Sequence, residues 1–128
     1  MPGGSVKMDL HIVVVLQQDI LLVTVTGSVG YDPALRFYKQ MFDTAAEKQV
    51  NKLLVNALAM EGELSPLESY HLGVQVAAYL KQREMNPRLA IVGKPSTMDG
   101  LGVGVARNRK VITEAFPSEQ DALEWLGM

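Results

Sequence analysis

The stretch KLLVNALAMEGELSPLESYHLG, residues 52–73, decides the fold. Its opening, Lys52–Leu58, is mostly apolar without polar alternation, the pattern of a strand buried on both faces. Glu61-Gly62-Glu63 makes a loop, and Ser65-Pro66-Leu67-Glu68 then opens a helix. Serine at the cap, proline at the first helical position and glutamate three residues after the serine are the signature of a capping box. A strand that is apolar on both sides needs helices on both sides, which is an α/β arrangement.

Upstream, LHIVVVLQ and ILLVTVTG are rich in β-branched residues, with Gln18-Asp19 between them as a hairpin turn. Val23 and Val25 alternate with Thr24 and Thr26, so that strand has one more polar face. Asp32-Pro33 reads as the cap and first position of a helix. Leu35, Tyr38, Met41, Phe42 and Ala45 share its apolar face, with Phe37 beside the stripe; Arg36, Lys39, Gln40, Asp43 and Glu47 take the other face. Downstream, the helix from Ser65 is apolar nearly all round, through Leu72, Val74, Val76, Ala77, Ala78 and Leu80. Its polar stripe is narrow: Glu68, His71, Gln75 and Gln82. NPR ends it, LAIVG reads as another buried strand and KPSTMDG as a loop. A short helix is expected over about 99–109, weakened by Gly102 and Gly104 at about 1 kcal/mol each relative to alanine. VITEAF is a last strand, and PSEQDALEWLGM closes the chain as a capped helix with Ala122, Leu123 and Leu126 facing inward.

The order β-β-α-β-α-β-α-β-α implies right-handed crossovers and parallel strands, with the opening hairpin as an antiparallel edge. The expectation is one α/β domain over residues 8–128, with a five-stranded mixed, mainly parallel sheet and about four helices. Strands are expected at about 9–17, 20–26, 52–58, 89–93 and 111–116. Residues 1–7 read as a flexible tail that cloning could have contributed in part.

Composition narrows function. The 128 residues are 48% apolar and 20% charged, with a net charge of −2. That balance argues against a nucleic-acid binder, which carries a basic face. With no cysteine, disulfides and thiol chemistry are excluded. The apolar runs are too short to span a bilayer, and the N-terminus lacks a signal-peptide core, so a cytoplasmic domain is expected.

Most motifs fail when tested. VGKPST has Arg88 where a phosphate loop needs glycine and Pro95 where it needs serine or threonine. GLGVG lacks the full dinucleotide pattern and reads as a tight turn with close packing. His11 and His71 have no third ligand at metal spacing, so no metal and no cofactor are expected. No serine sits in a Gly-x-Ser-x-Gly elbow, and no catalytic residue is assigned. Arg107, Arg109 and Lys110 form the only basic cluster; they suit a helix C-terminus or, as the anion-binding candidates Arg107 and Arg109, a bound anion.

LESYHLGVQVAAYL, LAIVG, GLGVGVARNRK and VITEAFPSEQDALEWL together resemble the STAS-like domains, the sulfate-transporter and anti-sigma-factor-antagonist fold. The resemblance covers about residues 8–128. It is nearest to the small bacterial branch bordering on Sec14-type lipid-binding domains. It implies a non-enzymatic regulatory module acting through protein partners, switched in antagonist members by phosphorylation of a serine or threonine where the helix after the third strand begins. Ser65 holds that place. The sequence departs from the antagonist pattern, an aspartate and paired Ser/Thr followed by glycine, by reading Leu64-Ser65-Pro66-Leu67. Taken by itself, Ser65 is a cap. A phosphate there would face a helix N-terminus, with Pro66 removing one donor and Glu61, Glu63 and Glu68 opposing the charge.

The apolar girth of the second helix points to a homodimer or protein-binding face around Tyr70, Val74 and Tyr79, unless neighbouring helices cover it. With seven methionines in the chain, it also keeps open a carrier of a small apolar ligand or lipid.

Overall fold

The computed structural model describes residues 10–94 and 102–127. The tail 1–7 and the start of the expected third helix lie outside them. The elements are β1 (Leu10–Gln17), β2 (Ile20–Ser28), α1 (Tyr31–Lys48), β3 (Lys52–Asn56), β4 (Met60–Glu61), α2 (Pro66–Gln82), β5 (Arg88–Val92), α3 (Val103–Asn108), β6 (Ile112–Phe116) and α4 (Glu119–Trp125). Five strands run in the order β1-β2-β3-β5-β6. Among the described residues only the β1–β2 hairpin is antiparallel; the other pairings are parallel. The two-residue β4 is a strand the sequence did not announce, and it pairs in parallel with the end of β2, Met60 opposite Gly27 and Glu61 opposite Ser28.

The mainly parallel sheet follows from burial. Leu53, Leu54 and Val55 of β3 and Leu89, Ala90, Ile91 and Val92 of β5 are all buried. Alternate residues of such strands point to opposite faces. Leu21, Val23, Val25, Leu53, Val55, Leu89 and Ile91 meet α1, α2 and α3. Ile20, Leu54, Ala90 and Val92 meet Ala122 and Leu126 at the C-terminal helix. Among the described residues one face therefore carries three helices and the other a single helix of two turns.

α1 begins two residues earlier than expected. Its N-cap is Gly30, without a side-chain cap, and Asp32 sits in the first turn. Pro33 is tolerated at the third position because that N–H has no partner within the helix. The Asp32 charge still favours the positive end of the helix dipole. Phe37 is buried rather than placed beside the stripe, because α1 turns a wide apolar face to the sheet and α2.

α2 and α3 meet backbone to backbone. A Cβ added at Gly73 would lie 2.7 Å from the Gly102 carbonyl oxygen and 2.7 Å from Val105 Cβ. Gly102 caps α3 in the left-handed region at φ +71, where a side chain would be strained as well as crowded. Of the GLGVG run, Gly102 thus serves close packing between helices.

Gly73→Ala should destabilise the fold by about 1–3 kcal/mol through overpacking. Gly104 has open space around its added Cβ, so Gly104→Ala should stabilise by up to about 1 kcal/mol. Urea unfolding of the two variants should move in opposite directions from the parent.

Candidate functional site

The segment from β3 to α2 is held at both ends. Ala57 donates its N–H to the Val92 carbonyl at 2.7 Å, and Val29 donates to the Glu61 carbonyl at 2.9 Å. The Asn56 carboxamide accepts from Leu58 N–H at 3.0 Å and donates to Glu119 at 3.0 Å, tying the loop to α4. Met60 and Leu64 are buried and anchor the loop from below. Ser65 emerges from this frame as the exposed N-cap of α2.

The capping box is complete. Ser65 Oγ accepts from Glu68 N–H at 3.1 Å, and the Glu68 carboxylate accepts from Ser65 N–H at 3.0 Å. Pro66 occupies the first helical position, as its missing donor allows. Exposed carboxylates of Glu61, Glu63 and Glu68 stand near Ser65 in the chain, and the first turns of α2 add two exposed large apolar side chains, Leu67 at 66% and Tyr70 at 46%. The Arg109 guanidinium lies 5.5 Å from the Tyr70 ring and donates to its hydroxyl at 3.3 Å. His71 packs edge-on to Tyr70.

Below this face, α2 and the turn from α3 to β6 enclose a groove of about 610 Å³. Val74, Ala77, Met85 and Val111 supply its apolar wall, and Lys81, Arg109 and Lys110 add positive charge. These cations stand at or just past the C-terminal ends of α2 and α3, where they complement the helix dipoles.

Tyr70, Val74 and Arg109 are thus brought together on one side of α2. Tyr79 is not: half-buried, it faces α1, where its hydroxyl donates to Asp43 and Arg83 pairs with the same carboxylate. Lys39 and Arg83 each lie 5.5 Å from the Tyr79 ring. The Tyr79 hydrogen bond, followed by Arg83, holds the Asp43 carboxyl below its ordinary range, and the same bond pushes the Tyr79 phenol up. Arg107 is ion-paired with Glu114 and stands apart from Arg109. The Asp43–Tyr79–Arg83 cluster escaped sequence reading because Asp43 looks like one more solvated residue until α1 and α2 are placed side by side. Only the Tyr79–Arg83 spacing, one helical turn, was visible.

Among the described residues, no three His, Cys, Asp or Glu side chains are grouped to hold a metal. No described helix is long and apolar enough to cross a membrane.

No family model matches the chain, and no curated protein matches it. Solved structures do. An anti-sigma factor antagonist from Mycobacterium paratuberculosis is 15% identical, with 91% of this chain and 93% of that chain covered and a TM-score of 0.61. A DUF3478-family protein with a SpoIIAA-like fold from Shewanella loihica PV-4 is 22% identical, with 92% and 93% covered and a TM-score of 0.52. The fold is STAS-like. At these identities the likeness is one of architecture; Ser65 itself is the N-cap of α2, the first helix after β3 and the short β4.

Two measurements test the local chemistry. Ser65→Ala should cost about 0.5–2 kcal/mol and Ser65→Gly only a few tenths, read by denaturant unfolding. The depressed Asp43 carboxyl contributes stability that is present above the unfolded aspartate range and lost as pH falls through its lower folded value. Asp43→Asn should therefore flatten the loss of stability below about pH 4, measured as melting temperature against pH.

Proposed function

We propose that the chain is a non-enzymatic regulatory module that binds a protein partner through the face of α2 around Leu67 and Tyr70, with Ser65 as a phosphorylation switch. The observation that carries this reading is the position of Ser65: an exposed hydroxyl, on a loop held at both ends, flanked by two large exposed apolar side chains. One structural neighbour, the M. paratuberculosis protein, is an anti-sigma factor antagonist, which supports a regulatory role for the same architecture.

The switch acts through the cap. A partner kinase transferring a phosphoryl group from a nucleoside triphosphate to Ser65 Oγ would place about two negative charges there. The Glu68 carboxylate sits on Ser65 N–H at 3.0 Å. The two anions repel, Glu68 leaves the cap, and the first turn of α2 rearranges with Leu67 on it. Binding and phosphorylation are then mutually exclusive states of one short segment.

The groove of about 610 Å³ favours a second reading, a carrier or sensor of a small apolar ligand or lipid. Its size lies within the range of small-molecule sites. Native mass spectrometry of freshly purified protein separates the readings, since a carrier retains co-purified ligand mass.

The test of the first reading begins with protein recovered from the cell that makes it. Peptide mapping should find phosphate on Ser65 in a fraction of the molecules. A partner identified on the unmodified protein should bind at least about 10-fold more weakly to the phosphorylated form and to Leu67→Asp/Tyr70→Asp. A partner indifferent to both changes, with Ser65 never modified, overturns the reading.

A further inference from the structure

We infer that β1 is a self-recognition edge: two copies pair their β1 strands antiparallel about a two-fold axis through Val14, joining two sheets into one. The inference is independent of the α2 face.

Among the described residues β1 is an outer strand of the sheet, and its register with β2 is unbroken over all eight residues, from Leu10↔Gly27 to Gln17↔Ile20. Five consecutive large apolar residues, Ile12 to Leu16, are 36–61% exposed. Proteins usually blunt such an edge with lysine, proline, a bulge or a covering segment. β1 carries no charge, no proline and no bulge.

The exposure falls on both faces of the sheet. Ile12, Val14 and Leu16 pair with Val25, Val23 and Leu21, on the face covered by α1 and α2. Val13 and Val15 pair with Thr24 and Leu22, on the face where α4 packs on β3, β5, β6 and the start of β2 and, among the described residues, leaves β1 open. A lipid, small ligand or helix would cover one face and leave the backbone edge unpaired. A strand that is apolar on both faces meets both needs, and β1 itself is such a strand.

The backbone offers the correct groups. The Gln18-Asp19 turn closes on the Gln17–Ile20 pair, the hydrogen-bonded pair of a two-residue hairpin, and such pairs alternate along the ladder. Leu10, Ile12, Val14 and Leu16 therefore turn their N–H and C=O outward.

The side chains select the axis. In an antiparallel pair, opposed residues share a face, so a two-fold axis normal to the sheet passes through a residue. HIVVVLQ, residues 11–17, is symmetric in chemical class about Val14. An axis there opposes Val14 to Val14, Val13 to Val15, Ile12 to Leu16 and His11 to Gln17. Every exposed apolar residue meets another, and the polar pair stands at the ends. An axis through Val13 would set His11 against Val15, and one through Val15 would set Gln17 against Val13. The Val14 register also delivers the partner copy's Leu16 beside Ile12, where Leu10, Pro33, Arg36 and Phe37 line a groove of about 220 Å³. A single strand pair is smaller than a standard interface of about 800 Å² per partner, so the expected dissociation constant is on the order of micromolar.

The chain has no cysteine, so single cysteines report the pairing directly. Opposed Cα atoms lie about 5.5 Å apart in a hydrogen-bonded pair, within disulfide reach, whereas residues two positions off register lie beyond it. Val14→Cys should form a disulfide dimer at least about 10-fold faster than Val13→Cys. Ile12→Cys and Leu16→Cys should cross-link when mixed and not separately. Sedimentation equilibrium of the unmodified chain at about 1–200 µM should show a monomer–dimer equilibrium. Val14→Lys, which opposes two like charges at the axis, should weaken it at least about 10-fold with the circular dichroism spectrum unchanged. A strict monomer over that range overturns the inference. So does growth beyond dimer, which would mean head-to-tail pairing of β1 with the other edge strand, or Val13→Cys cross-linking as fast as Val14→Cys.

Discussion

Everything in this molecule depends on β3 and β5 being apolar on both sides. A strand buried on both faces cannot lie at a protein surface, so helices must cross above and below it, and the connections must be long enough to carry them. α1 and α2 meet that need on one face, with α3 locked against α2 where Gly73 and Gly102 touch. Among the described residues the opposite face receives only α4, seven residues long. Seven residues cover β3, β5, β6 and the start of β2 but not β1, and the open valines of β1 follow from that asymmetry.

The same constraint places the candidate site. Parallel strands put the loops that follow β3 and β5 at one end of the sheet, and the loop after β3 is fastened there by Asn56, by the short β4 and by the buried Met60 and Leu64. Ser65 is consequently an exposed hydroxyl on a fixed base. The capping box that starts α2 is also the element that the proposed phosphate would disturb. Further along α2, Tyr79 is absorbed into an ionic cluster with Asp43 and Arg83, and that end of the helix serves the α1–α2 contact.

Much of the apolar girth that the sequence shows on α2 is taken up inside the monomer. Its Leu72, Val76 and Leu80 are buried within the monomer, Phe37 of α1 with them, and Val74 and Tyr79 are partly covered. Helical periodicity identifies an apolar stripe but not how many neighbours will cover it. β1 was legible as a strand and as an edge, yet its exposure was not, because an apolar β-branched run reads the same whether a helix covers it or not.

The sequence by itself determined the element order, the parallel core, the hairpin, the Ser65 capping box and the inward residues of α4. These rest on local chemistry: side-chain periodicity, cap acceptors, proline at the first helical position and runs of β-branched residues. Only the tertiary structure decided the pairing of β4, the contact of Gly73 with Gly102, the Asp43–Tyr79–Arg83 cluster, the Tyr70–Arg109 stack and the exposure of β1. Each of these depends on residues at least ten positions apart coming within a few ångströms, or on a helix being too short to reach. Such distances follow from how the elements pack together, which no local pattern encodes.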